Sequence, residues 1–214
     1  MVSHCFINSN TLIFRSRFLE KKNIFRKKLF RDHQANAVYN ALNQEDSIVL
    51  LPTGAGKSII YQLASLLMPG VTLVVDPIIA LIEDQIEGLL NYGIDRAVGL
   101  TSQQLLKQEK DRLLKGIERG EYHFILHSPE RLQNPAFRST LRALVETSLI
   151  NLAVIDEAHC ISEWGHDFRP EYRKLKKIIT AIGGKPIMAL TATATQKVKI
   201  DIIKNLGIEN NNLF

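Results

Sequence analysis

Five short apolar runs punctuate the chain: SIVLL from Ser47 to Leu51, VTLVV from Val71 to Val75, HFILH from His123 to His127, NLAVI from Asn151 to Ile155 and PIMAL from Pro186 to Leu190. None alternates apolar with polar. Unbroken apolar runs of this length, rich in Val and Ile, predict strands buried on both faces, as in a parallel sheet. Between them lie longer stretches with helical spacing. Two of these are IALIEDQIEGLLNYG, closed by Gly93, and QQLLKQEKDRLLKGIERG, closed by Gly120. A glycine just past a helical pattern supplies the left-handed residue on which helices end. Strands alternating with helices predict an α/β fold of three layers, with helices on both faces of a mainly parallel sheet. Right-handed crossovers then bring the C-terminal end of every strand to one edge, where ligands of such sheets bind.

The polar signals fall at that edge. LPTGAGKS follows the first run, DP the second, SPERL the third, DEAH the fourth and TATAT the last. LPTGAGKS sits between an apolar strand and a helix, the setting of a phosphate-binding loop. Gly54 and Gly56 can take positive φ and turn backbone N–H groups inward at the positive end of the helix. Thr53, Gly54, Ala55, Gly56, Lys57 and Ser58 are therefore the candidate nucleotide ligands. Lys57 would meet the β and γ phosphates of ATP, and the Ser58 hydroxyl would coordinate Mg²⁺. Leu51 stands where the strict GxxxxGK(S/T) pattern has its first glycine. The remaining GxGKS, in this context, still specifies a phosphate loop.

DEAH begins where NLAVI ends, so Asp156 and Glu157 emerge together beside the phosphate loop. Asp156 can hold Mg²⁺, directly or through water, while Glu157 orients and deprotonates the attacking water. The plainer role for such a pair is to cap the next helix. His159 is expected to bridge this site to Thr191 and Thr193 of TATAT, accepting hydrogen bonds from hydroxyl groups.

Composition adds less. The 214 residues carry 45% hydrophobic and 23% charged residues and a net charge of +5, within the range of ordinary globular domains. Much of the excess lies early, in Arg15, Arg17, Lys21, Lys22, Arg26, Lys27, Lys28 and Arg31, so residues 1–28 read as a basic arm. Such an arm is either a solvated terminus or a phosphate-contacting segment. Residues before Glu20 include arginines and lack acids, which is also the composition of a transit peptide. Cys5 and Cys160 lie too far apart for a zinc spacing or a disulfide framework, which fits a reducing compartment. No apolar run nears the ~18 residues of a membrane span, so no membrane partner is expected.

The stretch after DEAH reads CISEWGHDFRPEY, an aromatic and basic cluster. Together with FRDHQ (Phe30 to Gln34), LPTGAGKS, DPIIALIEDQ (Asp76 to Gln85), SPERL and MALTATAT, it resembles the first RecA-like domain of the RecQ family of superfamily-two DNA helicases. The resemblance runs from about Phe25 to Leu206. It implies a RecA-like P-loop NTPase fold over residues 29–207, with residues 208–214 beginning an interdomain linker. It implies ATP-driven, 3′ to 5′ unwinding of DNA at single-strand and duplex junctions, in repair or recombination. The compartment implied is the cytoplasm, on the nucleoid, or the nucleus. Arg31 and Gln34 would read the adenine, and a bulky residue at Leu51 is ordinary for such helicases.

Two positions depart from that pattern. Lys27 stands where several relatives place an aromatic that stacks on adenine. Asp76 replaces a serine near the DNA backbone, where a carboxylate facing phosphates would repel them. Trp164, His166, Phe168 and Arg169 are the candidate DNA contacts. The two rings offer stacking faces worth about 1–3 kcal/mol each, and Arg169 adds a phosphate or stacking contact. Because the loop is tied covalently to Glu157 and His159, DNA that reorders it would shift the catalytic groups. The alternative is a hydrophobic cluster that pins the loop to the sheet, and packing is expected for Tyr172. In helicases of this type a second RecA-like domain, in cis or in trans, supplies arginines worth about 10³–10⁵ in turnover. The chain alone is thus expected to bind nucleotide and hydrolyse it poorly. Two further readings are a non-catalytic nucleotide- and DNA-binding regulatory module and an RNA-directed relative.

Overall fold

The structure is a computed structural model that describes residues 25, 33–101, 107–147, 150–183, 186–209 and 212–214. The described residues form six strands: β1 (Ser47–Leu50), β2 (Val71–Val75), β3 (Ala97–Leu100), β4 (Phe124–His127), β5 (Ile150–Ile155) and β6 (Ile187–Thr191). All pairings are parallel, and the spatial order is β1-β6-β5-β2-β4-β3. Seven α-helices accompany them: α1 (Gln34–Leu42), α2 (Lys57–Leu66), α3 (Ile79–Asn91), α4 (Lys107–Glu118), α5 (Pro135–Thr147), α6 (Leu175–Ala181) and α7 (Gln196–Leu206). Gly93 and Gly120, expected as helix ends, both have positive φ just past α3 and α4.

Alternate residues of each strand feed two separate cores, which makes the three layers. Val49, Val74, Leu152, Val154, Met188 and Leu190 pack with Val38 of α1, Leu63 of α2 and Ile82 of α3 on one face. Ile48, Leu73, Ala153, Ile155 and Ala189 pack with Ile117 of α4, Leu141 of α5, Ile179 of α6 and Ile202 of α7 on the other. Every residue of β2, β4, β5 and β6 is buried, so the runs are mainly apolar without alternation, and the polar exceptions Thr72, His127, Asn151 and Thr191 are hydrogen-bonded.

The five predicted strands are present, and β3 is a sixth that the apolar pattern does not announce. AVGL is four residues long, half-exposed at Ala97 and Gly99, and lies on the sheet edge. An edge strand has one covered flank and needs less apolar surface, so its signal is weak. At the opposite edge, β1 meets the end of the described chain: Leu50 N donates to Phe214 O (2.7 Å) and Phe214 N to Ile48 O (2.9 Å).

The strand order decides the site. It places β1, β6, β5 and β2 side by side, so the segments that leave their C-terminal ends become neighbours: LPTGAGKS, TATAT, DEAH and DP.

Candidate functional site

The loop after β1 curls back on itself: Ala55 N donates to Pro52 O (3.0 Å), and Gly54 and Gly56 take φ of 74° and 84°. Gly56 is the left-handed residue that opens α2, which begins at Lys57 with Ser58 behind it. Non-glycine residues resist that conformation. Space is short too, because a Cβ at Gly56 would come within 3.0 Å of Gln34 Nε2. Thr53 and Gly54 are exposed and Ala55 is buried, so the loop forms a lip over the helix start.

Gln34, expected to read adenine, is buried beneath this lip. Its Nε2 donates to Ala55 O (2.9 Å) and Gly56 O (3.2 Å), so its amide braces the phosphate loop. Arg31, its expected companion, and Lys27 lie outside the described residues, as does the rest of the basic arm apart from Phe25.

Asp156 and Glu157 leave β5 together. Asp156 is buried, with Oδ1 accepting from Glu157 N (2.9 Å), and burial, reinforced by Glu157, lifts its carboxyl to about 6. Lys57 pulls the other way. Glu157 sits at φ 47°, a left-handed conformation that a non-glycine residue occupies at a cost of order 1–3 kcal/mol. A hydrogen bond from His159, helped by Lys57, holds its carboxyl below the usual carboxylate range against the effect of burial. His159 Nδ1 lies 3.1 Å from Glu157 Oε2 and 3.0 Å from Thr191 Oγ1. The Thr191 hydroxyl also lies 3.1 Å from Thr193 O. The imidazole thus spans Glu157 and the Thr191 end of TATAT.

The expectation for Asp76 is overturned. Its carboxyl does not face outward toward phosphates: the residue is fully buried beside Asp156, where β2 and β5 pair at Val75 and Ile155. Oδ1 accepts from Ile78 N (2.9 Å) and Oδ2 from Gln85 Nε2 (2.9 Å), and Gln85 Oε1 in turn accepts from the Tyr61 hydroxyl. Desolvation, with Asp156 and Glu157 adding repulsion, lifts Asp76 to about 7. Tyr172, expected to pack, is fully buried, and its hydroxyl donates to Asp156 O (3.0 Å).

The loop after DEAH is only partly as expected. Trp164 is 66% exposed, whereas Phe168 lies under the Arg173 guanidinium, 5.0 Å from the ring centre. His166 stacks on His159 with ring centres 4.3 Å apart. The Arg169 guanidinium is engaged within the protein, donating to Asp167 Oδ2 (3.2 Å) and Pro77 O (3.1 Å). It thereby ties the loop to the segment after β2. A cleft of about 200 Å³ joins these parts, lined by Thr53, Pro77, Glu157, His159, His166 and Thr193.

The residues fit a magnesium nucleotide. A glycine-rich lip, a lysine at a helix start and a buried, desolvated aspartate are what a triphosphate and a hard cation require. Among the described residues no three ligating side chains cluster as a cage. Mg²⁺ bound through one or two carboxylates and phosphate oxygens needs none. Tyr61 has no signal in the sequence, because its hydroxyl acts through Gln85, a partner on another helix.

Comparison with known proteins agrees with this arrangement. The chain is 42% identical over 181 residues to a probable ATP-dependent DNA helicase RecS of Bacillus subtilis, covering 85% of this chain and 35% of that protein. It is 40% identical to the ATP-dependent DNA helicase RecQ of Haemophilus influenzae, covering 88% and 30%. The chain thus spans about a third of the length of these relatives. The helicase domain of Hef from Pyrococcus furiosus superposes with a TM-score of 0.64 over 89% of this chain and 39% of that one, at 18% identity, which is a likeness of fold. The family model described as DEAD/DEAH box helicase matches residues 31–200, most of the chain from the phosphate loop through DEAH to α7, and the chain accordingly belongs to that family.

Proposed function

We propose that the chain is the ATP-binding half of an ATP-dependent, 3′ to 5′ DNA helicase. It would act where a single strand meets a duplex, and a second RecA-like domain would complete its cleft. The observation that carries this reading is the convergence of Lys57, Asp156, Glu157 and His159 at one sheet edge, with the exposed Trp164 on the segment that continues from them. Both curated relatives bear the name ATP-dependent DNA helicase, which supports DNA as the substrate.

The chemistry follows from the residues. Backbone amides around Gly54 and Gly56 cradle the phosphates, and Lys57 balances charge on the terminal ones. Asp156 and Ser58 would hold Mg²⁺, which supplies charge neutralisation at the phosphates. Glu157, kept ionised by His159 and Lys57, accepts the proton of the attacking water. His159 holds Glu157 to Thr191, so a movement of either strand end is felt at the base. His166, stacked on His159, joins the same chain of contacts to the aromatic loop.

The test is calorimetric titration of the chain with a magnesium complex of a non-hydrolysable ATP analogue. DNA-stimulated turnover with the second domain supplied accompanies it. Lys57→Ala should abolish binding, and Glu157→Gln should bind normally while turnover stops. Undiminished turnover in Glu157→Gln would refute the assignment of the base. Equal stimulation by RNA and DNA would redirect the reading to an RNA substrate.

A further inference from the structure

The Gln85 amide, half-buried on α3, joins three elements of the fold. Its Nε2 donates to Asp76 Oδ2 (2.9 Å), and its Oε1 accepts from the Tyr61 hydroxyl. The same side chain reaches Asp156: burial raises that carboxyl, and hydrogen bonds from Glu157 N and from the Gln85 amide pull it back. An ionised carboxylate only accepts, whereas one amide nitrogen offers two N–H groups. With Oε1 taken by Tyr61, Nε2 faces both carboxylates, and the partners fix which way the amide points.

These contacts run between the two groups assigned to Mg²⁺. Asp156 and Asp76 leave β5 and β2 side by side, just past the paired residues Ile155 and Val75, and both are buried. Tyr61 is fully buried one turn along α2 from Lys57, its ring edge-on to Phe124 of β4 with centres 6.4 Å apart. Ser58 lies on that same helix. Ser58 and Asp156 thus stand on different elements, and Tyr61 with Gln85 forms a strut from one to the other. Stability alone does not require such a strut, since apolar groups of the same shape can serve a core as well. Holding a carboxylate in one orientation does require it.

We propose that Gln85, anchored by Tyr61, is a positioning residue that orients Asp156 toward Mg²⁺ and fixes its separation from Ser58. This deepens the function proposed above and rests on its assignment of Mg²⁺ to these two residues. Mg²⁺ demands near-ideal octahedral geometry, so a carboxylate free to swing holds the ion poorly. The phosphates are met by the loop amides and Lys57, so the strut acts on the metal and not on the nucleotide. Hydrogen-bonding partners of a metal-ligating carboxylate carry about 10- to 100-fold in metal affinity.

The experiment titrates the chain with a non-hydrolysable ATP analogue by calorimetry, at graded Mg²⁺ concentrations and in EDTA. Wild type is compared with Gln85→Leu and with Tyr61→Phe, which keeps the buried ring. Gln85→Leu should raise the Mg²⁺ concentration needed for half-maximal tightening about 10- to 100-fold. Tyr61→Phe removes one hydrogen bond and should raise it about 2- to 10-fold. Affinity in EDTA should match wild type in both variants, which also shows that they fold. Equal losses with and without the metal would reduce the strut to support of the fold and refute the proposal. Wild-type Mg²⁺ dependence in both variants would refute it as well, while the nucleotide reading stands. If wild type binds the analogue no tighter with Mg²⁺ than in EDTA, the metal assignment falls and takes the positioning role with it.

Discussion

Replacing Asp76 by asparagine should stabilise the protein above neutral pH, against the usual outcome of altering a buried hydrogen-bonded residue. The wild-type carboxyl is fully buried, accepts from Ile78 N and Gln85 Nε2, and is pushed from 3.8 to about 7 by desolvation and by Asp156 and Glu157. A folded-state value raised above the unfolded one means that the native state binds the extra proton. Stability on this account is full below pH 4 and declines as pH rises through 7. The shift from 3.8 to 7 is about 3 units, or about 4 kcal/mol at ~1.36 kcal/mol per unit, a ceiling that local relaxation lowers. The asparagine side chain keeps an acceptor for Ile78 N. Rotation of the Gln85 amide then lets it accept from the new Nδ2 and donate to the Tyr61 hydroxyl. Urea unfolding of wild type and Asp76→Asn at pH 5 and pH 8 measures the difference. The variant should gain roughly 2 kcal/mol or more at pH 8 relative to its standing at pH 5, about 4–8 °C in Tm for a chain of this size. Wild-type stability that is unchanged relative to the variant between the two pH values would refute a protonated Asp76.

Three further outcomes follow from the same contacts. Gln34→Ala removes two hydrogen bonds to the phosphate loop, each worth about 0.5–1.5 kcal/mol, and should weaken nucleotide binding roughly 5- to 100-fold by calorimetry. His127 is buried at the end of β4 and held neutral, its imidazole lowered from 6.5 to about 4 by desolvation. Its contribution is present above pH 6.5 and lost as pH falls toward 4. Wild type should lose up to about 3 kcal/mol across that window relative to His127→Phe, as read by denaturant titration. Tyr172→Phe leaves Asp156 O without its hydroxyl donor and should cost about 0.5–1.5 kcal/mol of stability in the same assay.

The chain by itself determined five of the six strands among the described residues, because strands buried on both faces of a parallel sheet are mainly apolar without alternation, and the runs from Val71 to Val75 and from Asn151 to Ile155 read that way. It determined the phosphate loop as well. Glycines at positions needing positive φ, followed by lysine at a helix start, are a local requirement met by neighbours in sequence. What only the tertiary structure decided is which distant groups share an environment. Asp76 looks like a surface charge after a strand, yet pairing of β2 with β5 buries it beside Asp156. Arg169 looks like a free cation until Asp167 and the Pro77 carbonyl engage it. Lys197 is one of several lysines along an amphipathic helix, and the packing of α7 against the DEAH loop sets it over Trp164. Local conformation is encoded in adjacent residues, whereas burial and charge partnership arise from segments that meet only when the sheet has formed.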